Sequence, residues 1–201
     1  MFFSFEGIDG SGKSTQARRL AEAVRGLGRE VVEVREPGGT GLGERVRSLL
    51  LDPSSTVDPR AELLLFSAAR AQLVAEVVEP SLRRGAVVIA DRFYDSSTAY
   101  QGGGRGVADF DWMDRLHGFA TAGRSPDRTY LIDVSPGIAA SRRADRDADR
   151  MEQSDSDFYS RVRAAYLSLS NNPRLMVVDG NKPAHTVEKS IWEDARALLL
   201  C

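Results

Sequence analysis

The chain has 201 residues, 42% hydrophobic and 28% charged, which is enough apolar content to pack a core and excludes a disordered segment. A formal net charge of -2 offers no general attraction to a polyanion, and no apolar run is long enough to cross a bilayer, so neither nucleic acid nor a membrane is expected as a partner. The only cysteine is Cys201, which excludes an intrachain disulfide and fits a reducing, cytoplasmic compartment.

Short apolar runs alternate with longer amphipathic segments along the chain. This is the pattern of an α/β fold in which helices cover a parallel sheet. The first run, residues 2–6, lacks a basic leader and is followed at once by a glycine-rich loop, so it reads as a core strand and not as a signal peptide. A helix is expected over 13–27, a strand over 31–35, and helices over 42–51 and 60–83, with Pro80 kinking or ending the latter. Then come a strand at 87–90, a helix around 111–122, strands at 130–134 and 175–179, and helices at 161–170 and 186–200. All five strands are rich in residues suited to a sheet buried on both faces. No repeat or linker interrupts the pattern, so one domain over 1–201 is expected, with its ligands at the carboxyl ends of the strands.

The loop after the first strand reads Gly7, Ile8, Asp9, Gly10, Ser11, Gly12, Lys13, Ser14, Thr15. A buried strand that ends in such a loop and opens a helix leaves backbone N–H groups free to close around phosphate oxygens. Lys13 is placed to reach β and γ phosphates, and the Ser14 hydroxyl is a ligand for the Mg²⁺ that bridges them. An ordinary glycine turn explains the glycines but not the Lys-Ser pair, nor the strand and helix on either side. The loops after the second and third strands, Arg35 to Gly41 and Asp91 to Gly102, are dense in polar groups. Asp91 closes an apolar strand and can organise Mg²⁺ and its waters, while Arg92 can grip a phosphate bidentately. By position alone a surface ion pair is equally good, and it is the phosphate loop that tips the balance towards function.

Taken together, Gly7 to Thr15, Arg35 to Thr40, Leu64-Leu65-Phe66 through Arg70-Ala71-Gln72, Asp91 to Gly106, and Asp149-Arg150-Met151-Glu152 run in one order over most of the chain. In this the chain resembles the thymidylate kinase family. The resemblance implies a P-loop kinase fold, a five-stranded parallel sheet flanked by helices with a short mobile lid. It also implies transfer of the γ phosphate of ATP to dTMP with Mg²⁺ in dTTP biosynthesis, and a homodimer. In the family pattern the base stacks on Phe66, Arg70 bonds its exocyclic oxygen, and Ser97 and Gln101 touch it. Arg92 holds the dTMP phosphate, Tyr100 lies under the deoxyribose, and Asp9 bonds the 3'-hydroxyl. Pro37 and Arg47 are weaker assignments, against base or sugar and towards the acceptor phosphate. Read without the resemblance, Phe66 is a core residue among three leucines, Asp9 a turn residue and Arg47 a solvated charge.

Arg142, Arg143, Arg146 and Arg150 are interleaved with Asp145, Asp147 and Asp149. By composition this is a salt-bridged surface. One branch of the family carries a basic residue in the phosphate loop, where this chain has Gly10, and the other supplies it from the lid. The chain matches the second, which assigns Arg146 and Arg150 to the γ phosphate and Arg142 to the face of adenine, and leaves Arg143 open. The lid is slightly shorter than the common pattern. Three alternatives stand beside this reading. A kinase for another nucleoside or nucleotide would share everything except the base contacts. A GTPase is nearly imitated by Asn181-Lys182-Pro183, but Ala184 stands where an Asp must read guanine. A non-catalytic nucleotide module would need a broken constellation, and none of Lys13, Ser14, Asp91, Arg92 or Arg150 is missing.

Overall fold

A computed structural model describes residues 1–144, 150–151 and 155–200. Its sheet has five strands in the order β2-β3-β1-β4-β5, which are Val31–Arg35, Val87–Asp91, Phe2–Glu6, Arg128–Asp133 and Leu175–Asp179. All four pairings are parallel, with Phe5 opposite Asp91 on one side of β1 and Tyr130 on the other. Strand side chains alternate between faces. Phe3 and Phe5 of β1 therefore pack towards helices α1 (Lys13–Gly26) and α9 (Ala184–Leu200), in a cluster with Leu20, Val24, Ile89, Tyr130, Val187 and Ile191. Phe2, Ser4 and Glu6 fall on the opposite face.

That second face is covered by α3 (Pro59–Leu73), α5 (Tyr94–Ser97) and α8 (Ser156–Ser168). Helix α2 (Gly41–Leu51) packs on α3, and α6 (Phe110–Ala120) lies along α3 as well. The central strands β1 and β3 are buried almost throughout, whereas the edge strands β2 and β5 are partly exposed. The expectation of burial on both faces therefore fails at the edges, where a strand has one neighbour and one open side.

Three departures from the expected elements bear on the site. The helix from Pro59 does not stop at Pro80. A π-helical turn, Val74–Val78, leads into α4 (Glu79–Arg83), and the Glu79 N–H bonds to the Val74 carbonyl five residues back. The widened turn accommodates a ring that would otherwise strike the preceding turn. The stretch after β3 is not a loop: α5 continues as a buried π-helical segment, Thr98–Gly104, packed against α8. A Cβ on Gly103 would lie 2.3 Å from that of Ala165, so glycine permits this approach. Finally, α7 (Pro136–Arg143) follows β4, capped by Ser135.

Candidate active site

The chain leaves β1 at Glu6 and turns through the phosphate loop into α1. Helices α2, α3, α6, α7 and α8 each begin on a Ser, Thr or Asp whose side chain accepts a first-turn N–H. Helix α1 begins on Gly12, in a left-handed conformation and without a side-chain cap. Its first donors are left for an anion, with the positive end of the helix dipole behind them. Gly10 is held at φ 86°, and a Cβ there would come within 2.4 Å of the Ala139 carbonyl oxygen of α7. Lys13 is buried, its Nζ 3.5 Å from Asp9 Oδ1. Burial and the nearby Arg92 charge lower its pKa, opposed by the carboxylates of Asp9, Asp91 and Glu6.

Lys13 and Ser14 line one cavity with Gly10, Gly12, Thr15, Asp91, Arg92 and Arg142. Gly7 and Ile8 lie beneath the loop, with Ile8 in the core, and Ser11 is buried. Asp91 Oδ1 is buried without a hydrogen-bond partner, and Ser14 is exposed. Among the described residues no three His, Cys, Asp or Glu converge on a metal site. One carboxylate and one hydroxyl facing a phosphate cavity is the donor set that suits Mg²⁺, which takes its remaining ligands from phosphate and water. Arg142 Nη1 and Nη2 donate to the Ser11 and Gly180 carbonyls at 3.3 and 3.0 Å, beside a second recess lined by Lys182 and Ala184.

A second cavity adjoins the first and is lined by Asp9, Pro37, Arg47, Phe66, Arg70, Arg92, Ser97, Tyr100 and Gln101. These nine are the residues assigned to the acceptor from sequence, and the fold draws them from five separate segments. The two cavities share Asp9, Arg92, Arg47 and Glu36. Arg92 stands at the junction with φ 72°, a left-handed conformation that costs about 1–3 kcal/mol for a residue other than glycine. Its N–H bonds to the Phe5 carbonyl at 3.0 Å. Its guanidinium donates to Asp9 Oδ1 at 2.6 Å, Ser96 Oγ at 2.9 Å, and the Tyr100 and Tyr166 hydroxyls at 3.2 Å. The Tyr100 hydroxyl donates to Asp9 Oδ2 at 2.8 Å. Burial pushes the Asp9 carboxyl up, but the charges of Arg92 and Lys13 and the bonds from Tyr100 and Arg92 outweigh it, holding the group well below the usual carboxylate range.

Arg70 is 1% exposed. Glu36 pins it, with Nε 2.8 Å and Nη2 2.6 Å from Oε2, and Nη2 also donates to Ser97 Oγ at 3.1 Å. Its Nη1 is buried and has no partner. Phe66 sits one helical turn away, partly buried. Arg47 Nη1 donates to the Pro37 carbonyl at 3.0 Å. Gln101 Nε2 donates to Glu62 Oε1 at 2.8 Å.

Arg150 lines neither cavity. Its Nε donates to the Leu50 carbonyl at 2.7 Å and its Nη2 to Glu62 Oε2 at 2.6 Å, so its guanidinium shares the Glu62 carboxylate with Gln101 of the second cavity. Arg143 stacks over the Tyr159 ring, 4.4 Å from its centroid. Arg146 and the expected lid, with Asp149 and Glu152, fall outside the described residues.

Sequence reasoning missed the acidic partners. Glu6 ends β1 on the face away from Phe5, and its carboxyl accepts from Phe93 N at 2.7 Å, Ser96 Oγ at 2.5 Å and the Tyr166 hydroxyl at 2.9 Å. Burial and the Asp95 charge push its pKa up to about 7, against Arg92 and the Ser96 and Phe93 hydrogen bonds. Glu36 lay within a quoted motif without a role. Glu62 precedes Phe66 and Arg70 at the same spacing of four, so the helical face that bears them carried the signal one turn upstream.

A family model described as Thymidylate kinase matches residues 5–191. A thymidylate kinase of Thermosipho africanus is 47% identical over 188 residues, 93% of either chain. That of Deinococcus radiodurans is 44% identical over 195 residues, 96% of this chain and 94% of its own. The crystal structure of the thymidylate kinase from Ehrlichia chaffeensis superposes with a TM-score of 0.81 at 35% identity, covering 97% of this chain and 98% of that one. With a parallel α/β sheet, a glycine-rich loop uncapped at α1 and an adjoining second cavity beside these matches, the chain belongs to the thymidylate kinase family.

Proposed function

We infer that the chain is a dTMP kinase, moving the γ phosphoryl group of ATP to dTMP to give ADP and dTDP. The observation that carries this reading is the shared wall of the two cavities, where Arg92 and Asp9 stand between the Lys13 side and the Phe66 side. An oxygen of the acceptor phosphate attacks the γ phosphorus in line as the bond to the ADP oxygen breaks. No general base is required, because the loose transition state is served by alignment and positive charge. Lys13 and the first N–H groups of α1 hold the donor phosphates, and Arg92, fixed from four sides, holds the acceptor phosphate. Ser14 and Asp91 would hold Mg²⁺, which would supply positive charge against the donor phosphates. Arg142 lies along adenine. Phe66, Arg70, Ser97 and Gln101 read the base, Tyr100 lies under the sugar, and Asp9 bonds the 3'-hydroxyl, with Pro37 and Arg47 beside them.

We assign Arg150, with Arg146, to the transferring phosphoryl. To reach it Arg150 must leave Glu62 and the Leu50 carbonyl. Arg150→Ala should then lower kcat far more than dTMP affinity. A change confined to the KM for dTMP would leave Arg150 as a support for Glu62 and Gln101 and remove it from catalysis. The chain is proposed to act in the cytoplasm, and no described helix is long and apolar enough to cross a membrane. A homodimer is proposed, for which Leu64 on α3 and Trp112 and Phe119 on α6 offer exposed apolar surface to a second copy. Light scattering on the purified protein and on Phe119→Glu tests it.

The reading itself is tested by ADP release with ATP and Mg²⁺ over dTMP, dUMP, ribo-TMP, UMP, dCMP, AMP, GMP and thymidine. Turnover is expected with dTMP, weaker with dUMP, little with ribonucleotides and none with thymidine, which has no phosphate for Arg92. Preference for another acceptor would overturn the base assignments and leave the ATP side standing.

A further inference from the structure

Glu62 is wholly buried, yet four donors converge on its carboxylate. Oε1 accepts from Arg105 Nε at 2.6 Å and Gln101 Nε2 at 2.8 Å, and Oε2 from Arg150 Nη2 at 2.6 Å and Arg105 Nη2 at 3.1 Å. A carboxylate facing two guanidiniums only accepts hydrogen bonds, so the Gln101 amide has no choice of orientation. It must turn its NH₂ to Glu62, which leaves its carbonyl oxygen as the group available to a ligand. No partner for that oxygen occurs among the described residues, and Gln101 lines the acceptor cavity.

Arg70 lines the same cavity with the opposite polarity. Glu36 fixes its fork, and Nη1 is a donor without a partner. A donor from Arg70 and an acceptor from Gln101 on the wall of one cavity can together complement a ring edge that carries a carbonyl next to an N–H. A 4-oxo pyrimidine with a protonated N3 has that edge. A 4-amino pyrimidine reverses both groups, and a buried site that leaves polar groups unpaired rejects such a ligand strongly.

We propose that Glu62 is a positioning residue for base selection: by holding the Gln101 amide in one orientation it makes the acceptor cavity accept thymine-like rings and refuse cytosine-like ones. The proposal rests on the dTMP kinase reading. Two donors meet at each Glu62 oxygen, but only Gln101 can reverse its polarity. In Glu62→Gln the new amide oxygen is therefore best placed towards Arg150 and Arg105 Nη2, which leaves one fixed donor, Arg105 Nε, against the new NH₂ where the reverse orientation leaves two. Its NH₂ then faces Gln101, which turns its own carbonyl to meet it and presents NH₂ to the cavity.

The test is the ratio of kcat/KM for dTMP to that for dCMP, with dUMP as a 4-oxo control. The ratio should fall tenfold or more in Glu62→Gln, and dUMP should fall in step with dTMP. A change in the ratio of less than fivefold, with both acceptors losing activity alike, makes Glu62 a packing residue and overturns the proposal. Should Glu62→Gln not fold, as judged by circular dichroism, Gln101→Met serves instead, because it removes the amide and keeps both arginine pairs. It too should lower the ratio at least fivefold, and an unchanged ratio overturns the proposal. Failure of the unmodified protein to turn over dTMP would instead overturn the dTMP kinase reading, so the two failures are distinct.

Discussion

The two cavities touch, yet they are built in opposite ways. The donor side takes five of its lining residues from one contiguous segment, residues 10–15, and its charges are loosely matched: Lys13 Nζ stands 3.5 Å from Asp9, Arg142 bonds to two backbone carbonyls, which carry no net charge, and Asp91 Oδ1 has no partner. The acceptor side is assembled from distant segments and its cations are tied to carboxylates at short range, Arg70 to Glu36 and Arg92 to Asp9, with Arg105 and Arg150 sharing the buried Glu62 beyond the cavity lining. A polyphosphate tail needs charge and can be gripped by any loop of the right shape. A base must be told from its near neighbours, which needs fixed donors and acceptors that are expensive to bury unless paired.

The comparison predicts that donor-side changes cost rate and acceptor-side changes cost stability. The largest effect is expected for Lys13→Ala, which should lower kcat by about 10³-fold or more while the urea midpoint stays near its original value; a large loss of stability would break the contrast. Arg70→Met strands Glu36 as a buried charge and should destabilise by about 3–5 kcal/mol in urea unfolding. Next comes pH. The Glu6 carboxyl, raised from 4.5 to about 7 in the fold, holds its proton more tightly there than in the unfolded chain. Stability should therefore decline as pH rises from about 4.5 to about 7, by on the order of 2–3 kcal/mol, and Glu6→Gln should abolish the decline. Asp9 acts with the opposite sign, its depressed carboxyl contributing stability that is present above its unfolded value near 3.8 and lost below it. The two windows do not overlap, so chemical denaturation at pH 3, 5 and 7 separates them. The smallest effect is expected for Arg142→Ala, which should raise the KM for ATP by about tenfold, one stacking contact's worth, and leave that for dTMP unchanged.

Much of the fold was legible because buried parallel strands are apolar runs and every one of the five gave such a run. Two helices were not. The segment Tyr94–Gly104 is rich in Ser, Thr and Gly, residues that favour turns in isolation, and its helical form goes with packing against α3, α6 and α8. Helix α7 is short and follows β4 at once, so it has almost no periodicity to read. At the site, residues inside contiguous motifs were found. The carboxylates that orient them were missed because Glu36 lies 34 positions from Arg70, and Glu62 lies 39 from Gln101 and 88 from Arg150. Ion pairing across such distances leaves no local pattern.

The closeness of Gly10 to the Ala139 carbonyl bears on how such chains change over time. Any side chain at position 10 collides with the backbone of α7, so a basic residue cannot be acquired there by one substitution. The helix would first have to withdraw. A lineage that keeps α7 where it is remains committed to a cation brought from elsewhere in the chain, however favourable the loop itself would be as its host.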